Sequence, residues 1–171
     1  MPDVLEPLDI NQAAVEIAAT ISVFGELPDT PLARWLEYRA YHELVHILRS
    51  ANELPADYVV LDLDALALRE WLLKGTILKR RFSEEALHLL TNLQAAGSGV
   101  IDNICRFYCA WKKAGLFAFG VAGLALQVHV IATIVAAHAS FMFLGGLPLT
   151  AVIAFLLQQG VLDKWCDCQS V

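Results

Sequence analysis

The sequence predicts an all-α protein in which a small helical soluble domain is followed by a two-helix transmembrane hairpin. The first supporting observation is a run of 49 residues, from Ala114 to Leu162, that contains no Asp, Glu, Lys or Arg. The second is that, before this run, apolar residues recur at helical spacing between short breaks containing Gly or Pro. The composition agrees, because 18% of the residues are charged against a usual share of about 25%.

The net charge of −6 argues against nucleic acid as a partner, since phosphate binding calls for a basic surface. The predicted organisation has four parts. The parts are a soluble helical domain (1–99), an interfacial juxtamembrane helix (100–113), the transmembrane hairpin (114–165) and a tail (166–171).

The soluble domain begins with two helices whose starts are marked in the sequence. Asp9 and Gln12 form a capping-box pattern at the start of the first helix, and Gly25 ends it. Thr30 is a suitable N-cap for the second helix, and Pro31 suits its first position.

The middle of the soluble domain is less regular. Residues 58–63 could form a strand or lead into a helix over 64–74, and we favour the second interpretation. Residues 75–81 are predicted as a basic turn. Ser83 is then expected to open a further helix, which ends at the glycines of residues 97–99.

An apolar and aromatic stripe in the juxtamembrane helix predicts that it lies at the membrane interface. Trp111, Lys112 and Lys113 are the expected anchors at headgroup depth, and Trp165 would mark the same interface on the return. Basic residues precede the first span and Lys164 follows the second. Because positive residues favour the cytoplasmic or matrix side, we expect both termini there.

The hairpin is predicted to turn near residues 144–148, with Pro148 at the start of its second helix. One face of the first helix has the 4, 3, 4, 3 spacing of a helix that packs closely on a partner. The packing residues are Ala118, Ala122, Ala125, His129, Ala132 and Ala136.

Three polar residues fall inside the hairpin: Gln127, His138 and Gln158. An unsatisfied amide or imidazole in lipid costs roughly 1 to 3 kcal/mol. We therefore expect the hairpin to pack with other membrane chains, in a homo-oligomer or a hetero-complex, within a lipid bilayer.

The four cysteines form two short pairs, Cys105 with Cys109 and Cys166 with Cys168. Neither the C-x3-C nor the C-x-C spacing matches a zinc or haem signature. We expect free, reduced thiols near the interface.

An HExxH pattern lies on the predicted second helix, at His42, Glu43 and His46. Residues four apart share a helix face, so both histidines could bind one Zn²⁺ while Glu43 takes a proton from the metal-bound water. A third ligand could be Asp64 or Glu70. The pattern resembles the active-site helix of the zincin metalloproteases, which implies a zinc peptidase. The alternative is a pair of solvated histidines on an amphipathic helix, and no cofactor is then expected.

Three functions follow from these observations. The leading hypothesis is a non-enzymatic integral-membrane subunit or anchor whose hairpin packs with other membrane chains. The first alternative is a membrane-anchored HExxH zinc metallopeptidase. The second is a hairpin that inserts into a membrane and forms a pore.

Overall fold

The computed structural model describes residues 10–25, 27, 29–50, 77–95, 97–115, 120–138, 143–144 and 147–168. These residues contain six α-helices, a 3₁₀ helix and one pair of two-residue strands, so the all-α class is confirmed. The helices are α1 (Ile10–Phe24), α2 (Pro31–Ser50), α3 (Ile77–Ala95), α4 (Ser98–Ala114), α5 (Gly120–His138), α6 (Leu149–Gln158) and the 3₁₀ helix η1 (Val161–Lys164). The strands β1 (Phe143–Leu144) and β2 (Leu147–Pro148) pair in antiparallel fashion. Residues 58–74, with their strand or helix prediction, lie outside the described residues.

Local sequence signals fix two of the helix ends. The backbone N–H of Ala33 donates to Thr30 Oγ1 at 3.1 Å, and α2 begins at Pro31, which confirms the predicted cap. At the end of α4, Gly115 has a φ of 70° and its N–H donates to the Lys112 carbonyl. This left-handed conformation favours glycine, which has no Cβ to clash.

The start of α3 differs from the prediction. The helix begins at Ile77, so the predicted basic turn is wrong over residues 77–81, and Ser83 is an interior residue of the helix. Residues 75 and 76 lie outside the described residues. Leu78 and Phe82 are 3% and 1% exposed and extend the buried face of the helix by a turn. Lysine and arginine are good helix formers, and here they occupy the outer face of that turn.

The core is organised around α6. Every residue from Leu149 to Leu157 is buried, and α6 packs against α1, α3 and α5. The rings of Phe24, Phe82 and Phe155 meet there, with centroids 5.4 to 5.6 Å apart. The first helix and the last third of the chain therefore share one hydrophobic core.

None of the helices within the described ranges combines the length and the apolar character that crossing a bilayer requires. The ten residues of α6 rise about 15 Å, whereas the hydrocarbon layer is about 30 Å thick. Its side chains are also buried by other parts of the same chain. The predicted transmembrane hairpin is therefore not supported by the helices as they are folded.

Candidate functional site

Two disulfide bonds join the middle of α4 to the segment that follows η1. Cys105 bonds to Cys166 and Cys109 bonds to Cys168, with Cα–Cα distances of 5.3 and 5.1 Å. We call this pair of bonds the disulfide clamp. The expectation of free thiols is wrong, since all four cysteines are paired.

The spacing within each cysteine pair explains how two adjacent bonds form. Cys105 and Cys109 are one helical turn apart, a rise of about 6 Å. Cys166 and Cys168 span about 7 Å when the chain is extended. The two spacings match, so both bonds can link the same two segments. This match between the two separations is the trace that the clamp leaves in the sequence.

Asp163 forms a polar contact beside the clamp. Its Oδ1 accepts hydrogen bonds from the Lys112 ammonium at 2.6 Å and from the Tyr108 hydroxyl at 2.7 Å. The Lys112 hydrogen bond, followed by that of Tyr108, lowers the pKa of Asp163. Burial, reinforced by the carboxylate, raises the pKa of Tyr108. These contacts hold η1 against α4 in addition to the covalent bonds.

Aromatic and cationic side chains gather at the same end of the fold. Phe107 is 40% exposed and its ring stacks on Trp111 with centroids 5.7 Å apart. Lys112 and Lys113 are exposed, and Trp165 is half-buried. Lys112 and Trp165 border the same cavity. The four residues expected from the sequence as interface anchors therefore lie at one end.

An open cavity of about 360 Å³, which we call the clamp cavity, lies beside the disulfides. Two lysines, two aspartates, Trp165 and the cysteines Cys166 and Cys168 line it. Cys168 is half-buried, whereas Cys166 is 5% exposed. A small molecule or a side chain in the cavity would meet both signs of charge.

The HExxH residues lie on the second half of α2. His42 and Glu43 are half-buried, His46 is exposed, and the His42 ring lies 4.8 Å from the ring of Tyr38. The proposed third ligands, Asp64 and Glu70, lie outside the described residues. Within the part of the chain that is described, no three His, Cys, Asp or Glu side chains are grouped so as to hold a metal ion.

A partly buried carboxyl group on α1, that of Glu16, interacts with Glu43 of this motif and was not singled out from the sequence. Burial raises the pKa of Glu16 to about 7, the hydrogen bond from Gln12 opposes the shift, and the charge of Glu43 adds to it. The signal in the sequence is a lone Glu among residues that are almost all apolar. Because its neighbours Val15 and Ile17 are buried, Glu16 is itself partly withdrawn from water.

The polar residues of the predicted hairpin have different surroundings. Gln127 is 4% exposed, and its Oε1 has no hydrogen-bond partner among the described residues. His129 is half-buried, and its Nδ1 likewise has no hydrogen-bond partner among the described residues. Gln158 is half-buried and its amide lies against Gly25. The side chain of His138 is outside the description.

Three of the predicted packing alanines can be placed in the structure. Ala125, Ala132 and Ala136 are 1%, 0% and 7% exposed. Ala118 lies outside the described residues, and so does the side chain of Ala122. Ala125 and Ala132 belong to the hydrophobic core of this chain, and Ala136 is buried as well.

The opposite side of α5 carries no charge. What we call the outer face of α5 comprises Gly123, Leu126, Val130, Thr133 and Ile134, of which Leu126 is 54% exposed, Thr133 is exposed and the others are half-buried. By contrast, α2, α3 and α4 each carry charged side chains on their exposed faces. A helical face that meets water is normally polar. The outer face of α5 is thus suited to contact with another apolar surface.

Comparison of the chain with protein-family models, with curated proteins and with solved structures finds no match.

Proposed function

We propose that this chain is a non-enzymatic subunit of a membrane assembly, anchored through its uncharged segment and packed against other membrane chains by the outer face of α5. The observation that carries this proposal is the absence of charge on that face. Lipid or a neighbouring helix can cover such a face without leaving a charge unpaired.

The side chains of the outer face favour a neighbouring helix over lipid alone. Gly123 and Thr133 are small, so they permit another backbone to approach closely, and Leu126 projects between them. Association of helices in a membrane depends on this kind of close packing, since lipid tails are as apolar as the side chains.

The disulfide-clamped end supports a position at the membrane surface. Trp111, Trp165 and two lysines lie there, and Trp and Lys are typical of the headgroup region. Disulfides persist in oxidising compartments. They favour placing this end on the oxidising side, in contrast to the cytoplasmic or matrix side that the basic residues alone predict. A membrane-impermeant maleimide, applied to intact vesicles after reduction, tests this orientation by labelling the clamp cysteines.

Membrane attachment and assembly are tested separately. The chain should stay with membranes after an alkaline carbonate wash, and its release would refute the anchor. In mild detergent its mass should correspond to an assembly. A monomer that binds no other membrane protein would refute the subunit role.

Two leucines of equal exposure provide a matched pair for the interface. Leu126 on α5 is 54% exposed, and Leu87 on α3 is 57% exposed on a face that carries charged neighbours. Leu126→Lys should weaken assembly at least tenfold, which corresponds to about 1.4 kcal/mol, because it buries an ammonium. Leu87→Lys should leave assembly unchanged. Equal behaviour of the two variants would contradict the proposal.

Ala125 is 1% exposed and belongs to the core of this chain. Ala125→Leu would overpack that core and report on folding instead of assembly.

The zinc peptidase is the second candidate, supported by the position of His42 and His46 one turn apart on α2, where both are at least partly open to solvent. Stoichiometric zinc that is lost in His46→Ala and retained in His88→Ala would favour it. Purified protein without zinc would remove it. Conductance of the purified chain in planar bilayers would instead favour the pore-forming alternative.

A further inference from the structure

We propose that the first turns of α2 dock on the headgroup layer of a membrane that contains anionic phospholipid. What we call the α2 patch consists of Leu32, Trp35, Tyr38 and Arg39, all of which are exposed. Each lies three or four residues from another member, so they share one side of the helix. Three of the six exposed large hydrophobic side chains in the described part of the chain belong to this patch. Such a cluster is typical of a surface that contacts another one.

The inner side of the same turns provides the contact that the fold needs. Ala33, Leu36 and Ala40 are buried there, and α2 packs against α1. Leu32, by contrast, is 61% exposed and Trp35 is 53% exposed. A helical side that meets only water is normally polar. The apolar area of the α2 patch is therefore available to a surface outside this chain.

Arg39 gives the patch a cation that is suited to phosphate. Its guanidinium carbon lies 5.0 Å from the centroid of the Trp35 ring. Stacking on an aromatic ring orients the planar group, and its N–H donors remain at the edge. Among the described residues no carboxylate forms an ion pair with Arg39, whereas Arg34 pairs with Asp29 at 2.6 Å. A phosphate group matches the fork of donors that Arg39 presents.

The acidic groups around the patch leave this positive charge in place. Asp29 is already paired, and Glu37 is half-buried two positions before Arg39, on another side of the helix. Glu43 follows Arg39 by four positions, but its charge acts on Glu16 of α1, whose pKa it helps to raise. Charges beyond about 8 Å are largely screened at physiological salt. The nearby guanidinium therefore outweighs the net charge of −6 for a phosphate at the patch.

The α2 patch lies at the same end of the fold as the disulfide clamp. The Gln159 Nε2 donates to the Phe24 carbonyl at 3.3 Å, so α1 and α6 end side by side. From this end the chain enters α2 at Pro31, and from the same end α6 continues into η1 and the clamp. The inference rests on the proposed position of the clamped end at a membrane surface, and it adds a second group of side chains to that surface.

The chemistry of the α2 patch matches the layers of a membrane surface. Tryptophan and tyrosine are typical of headgroup depth, and leucine favours the adjoining acyl region. Arginine binds the phosphate of the headgroup. The clamped end has the same composition, with Trp111, Trp165 and two lysines. One cationic side chain at an anionic membrane surface strengthens binding about fivefold, which sets the size of effect to be measured.

The test places a fluorescent label in the patch of the full-length chain. All four cysteines are in disulfides, so one added cysteine can be labelled without reduction. Leu32→Cys receives a nitrobenzoxadiazole label, and Leu87→Cys on α3, at a site 57% exposed, is the matched control. The vesicles contain a headgroup spin label in phosphatidylcholine alone or with phosphatidylglycerol. We expect quenching at position 32 to require about fivefold less lipid when phosphatidylglycerol is present, with no such dependence at position 87.

Two charge variants show whether the patch or the net charge is responsible. Arg39→Gln and Lys79→Gln each remove one exposed positive charge, and Lys79 lies on α3 outside the patch. In the chain labelled at position 32, Arg39→Gln should raise the half-saturating concentration of phosphatidylglycerol vesicles about fivefold. Lys79→Gln should leave it within about twofold, because screening limits a distant charge. Equal effects would overturn the role of the patch.

Failure of the patch and failure of the anchor give different results. A chain that floats with both kinds of vesicle while its label at position 32 is not quenched would overturn the α2 patch and leave the anchor standing. Quenching at position 32 in a chain that an alkaline wash releases would support the patch and refute the anchor. A label that responds to poly-L-glutamate but to neither vesicle would assign the patch to an acidic protein segment and overturn the proposal.

Discussion

Removing the two disulfides singly and together should cost unequal amounts of stability. Each bond alone closes a loop over a sequence separation of 61 or 59 residues, which the chain-entropy relation converts to about 4 kcal/mol. When one bond is present, the second closes only the small ring formed by residues 105–109 and 166–168. That ring contributes about 2.5 kcal/mol by the same relation.

The consequence is a specific pattern of free energies. Either single removal leaves a large loop closed and should cost about 2.5 kcal/mol, whereas removal of both should cost about 7 kcal/mol. The double loss therefore exceeds the sum of the single losses by about 2 kcal/mol. The double loss is the larger one because the two bonds join the same pair of segments, so either bond alone keeps the large loop closed.

The assay is denaturant unfolding in mild detergent without reductant, followed by circular dichroism and tryptophan fluorescence. The variants replace both cysteines of one bond, both of the other, or all four with alanine. Because each single-bond variant replaces two cysteines with alanine, the two variants lose comparable amounts of side-chain packing. Single losses that add up to the double loss would refute the shared-loop reasoning, as would a single removal that costs as much as both.

Three further predictions concern individual side chains, measured by unfolding across pH or at neutral pH. Burial raises the pKa of Glu16 from 4.5 to about 7, so folding favours the neutral acid and the protein loses stability as the pH rises through this range. Glu16→Gln should remove this loss, which is on the order of 3 kcal/mol. Asp163→Asn should have the opposite dependence. The hydrogen bond from Lys112, followed by that from Tyr108, lowers the pKa of Asp163 in the folded protein. Its contribution to stability is therefore present above pH 3.8 and disappears as the pH falls through the lowered pKa. Because Asp163 is exposed, this contribution is below about 1 kcal/mol. Gly25→Ala should cost less than about 1 kcal/mol, because the added Cβ would meet only the end of the flexible Gln158 side chain, and Gln158→Ala should remove this cost. The matched Gly99→Ala, which has open space, should be neutral or stabilising.

Local rules predicted the parts of the fold that local interactions determine. Thr30 and Pro31 mark the start of α2 because the cap and the first residue contact only their own turn. The start of α3 needed tertiary information. Phe82 stacks on Phe155 at 5.5 Å, and this partner lies far away in the sequence. A basic segment that resembles a turn in isolation becomes helical because one face of it is buried.

The disulfide-clamped end also combines features that local sequence predicts with features that depend on distant residues. Trp111 and Trp165 were predicted as interface anchors from residue type, but their position at one end of the fold depends on bonds between cysteines about 60 residues apart. The raised pKa of Glu16 likewise depends on burial between helices and on Glu43 of α2. Pairings across this distance leave only a weak trace in local spacing. The matched separations of the two cysteine pairs are such a trace.

The uncharged run illustrates a more general ambiguity between lipid and protein interior. A stretch without charges predicts exclusion from water, and either lipid or the protein itself can provide that exclusion. In α6 the protein provides it, since Leu149 to Leu157 are covered by other parts of the chain. In α5 the chain covers only one side, and the other remains apolar and open. The length of the run is therefore a poor measure of membrane character, and the outer face of α5 is the better one. Leu126 and Leu87 are the same residue type at nearly equal exposure, so a difference between their lysine variants measures what covers each face.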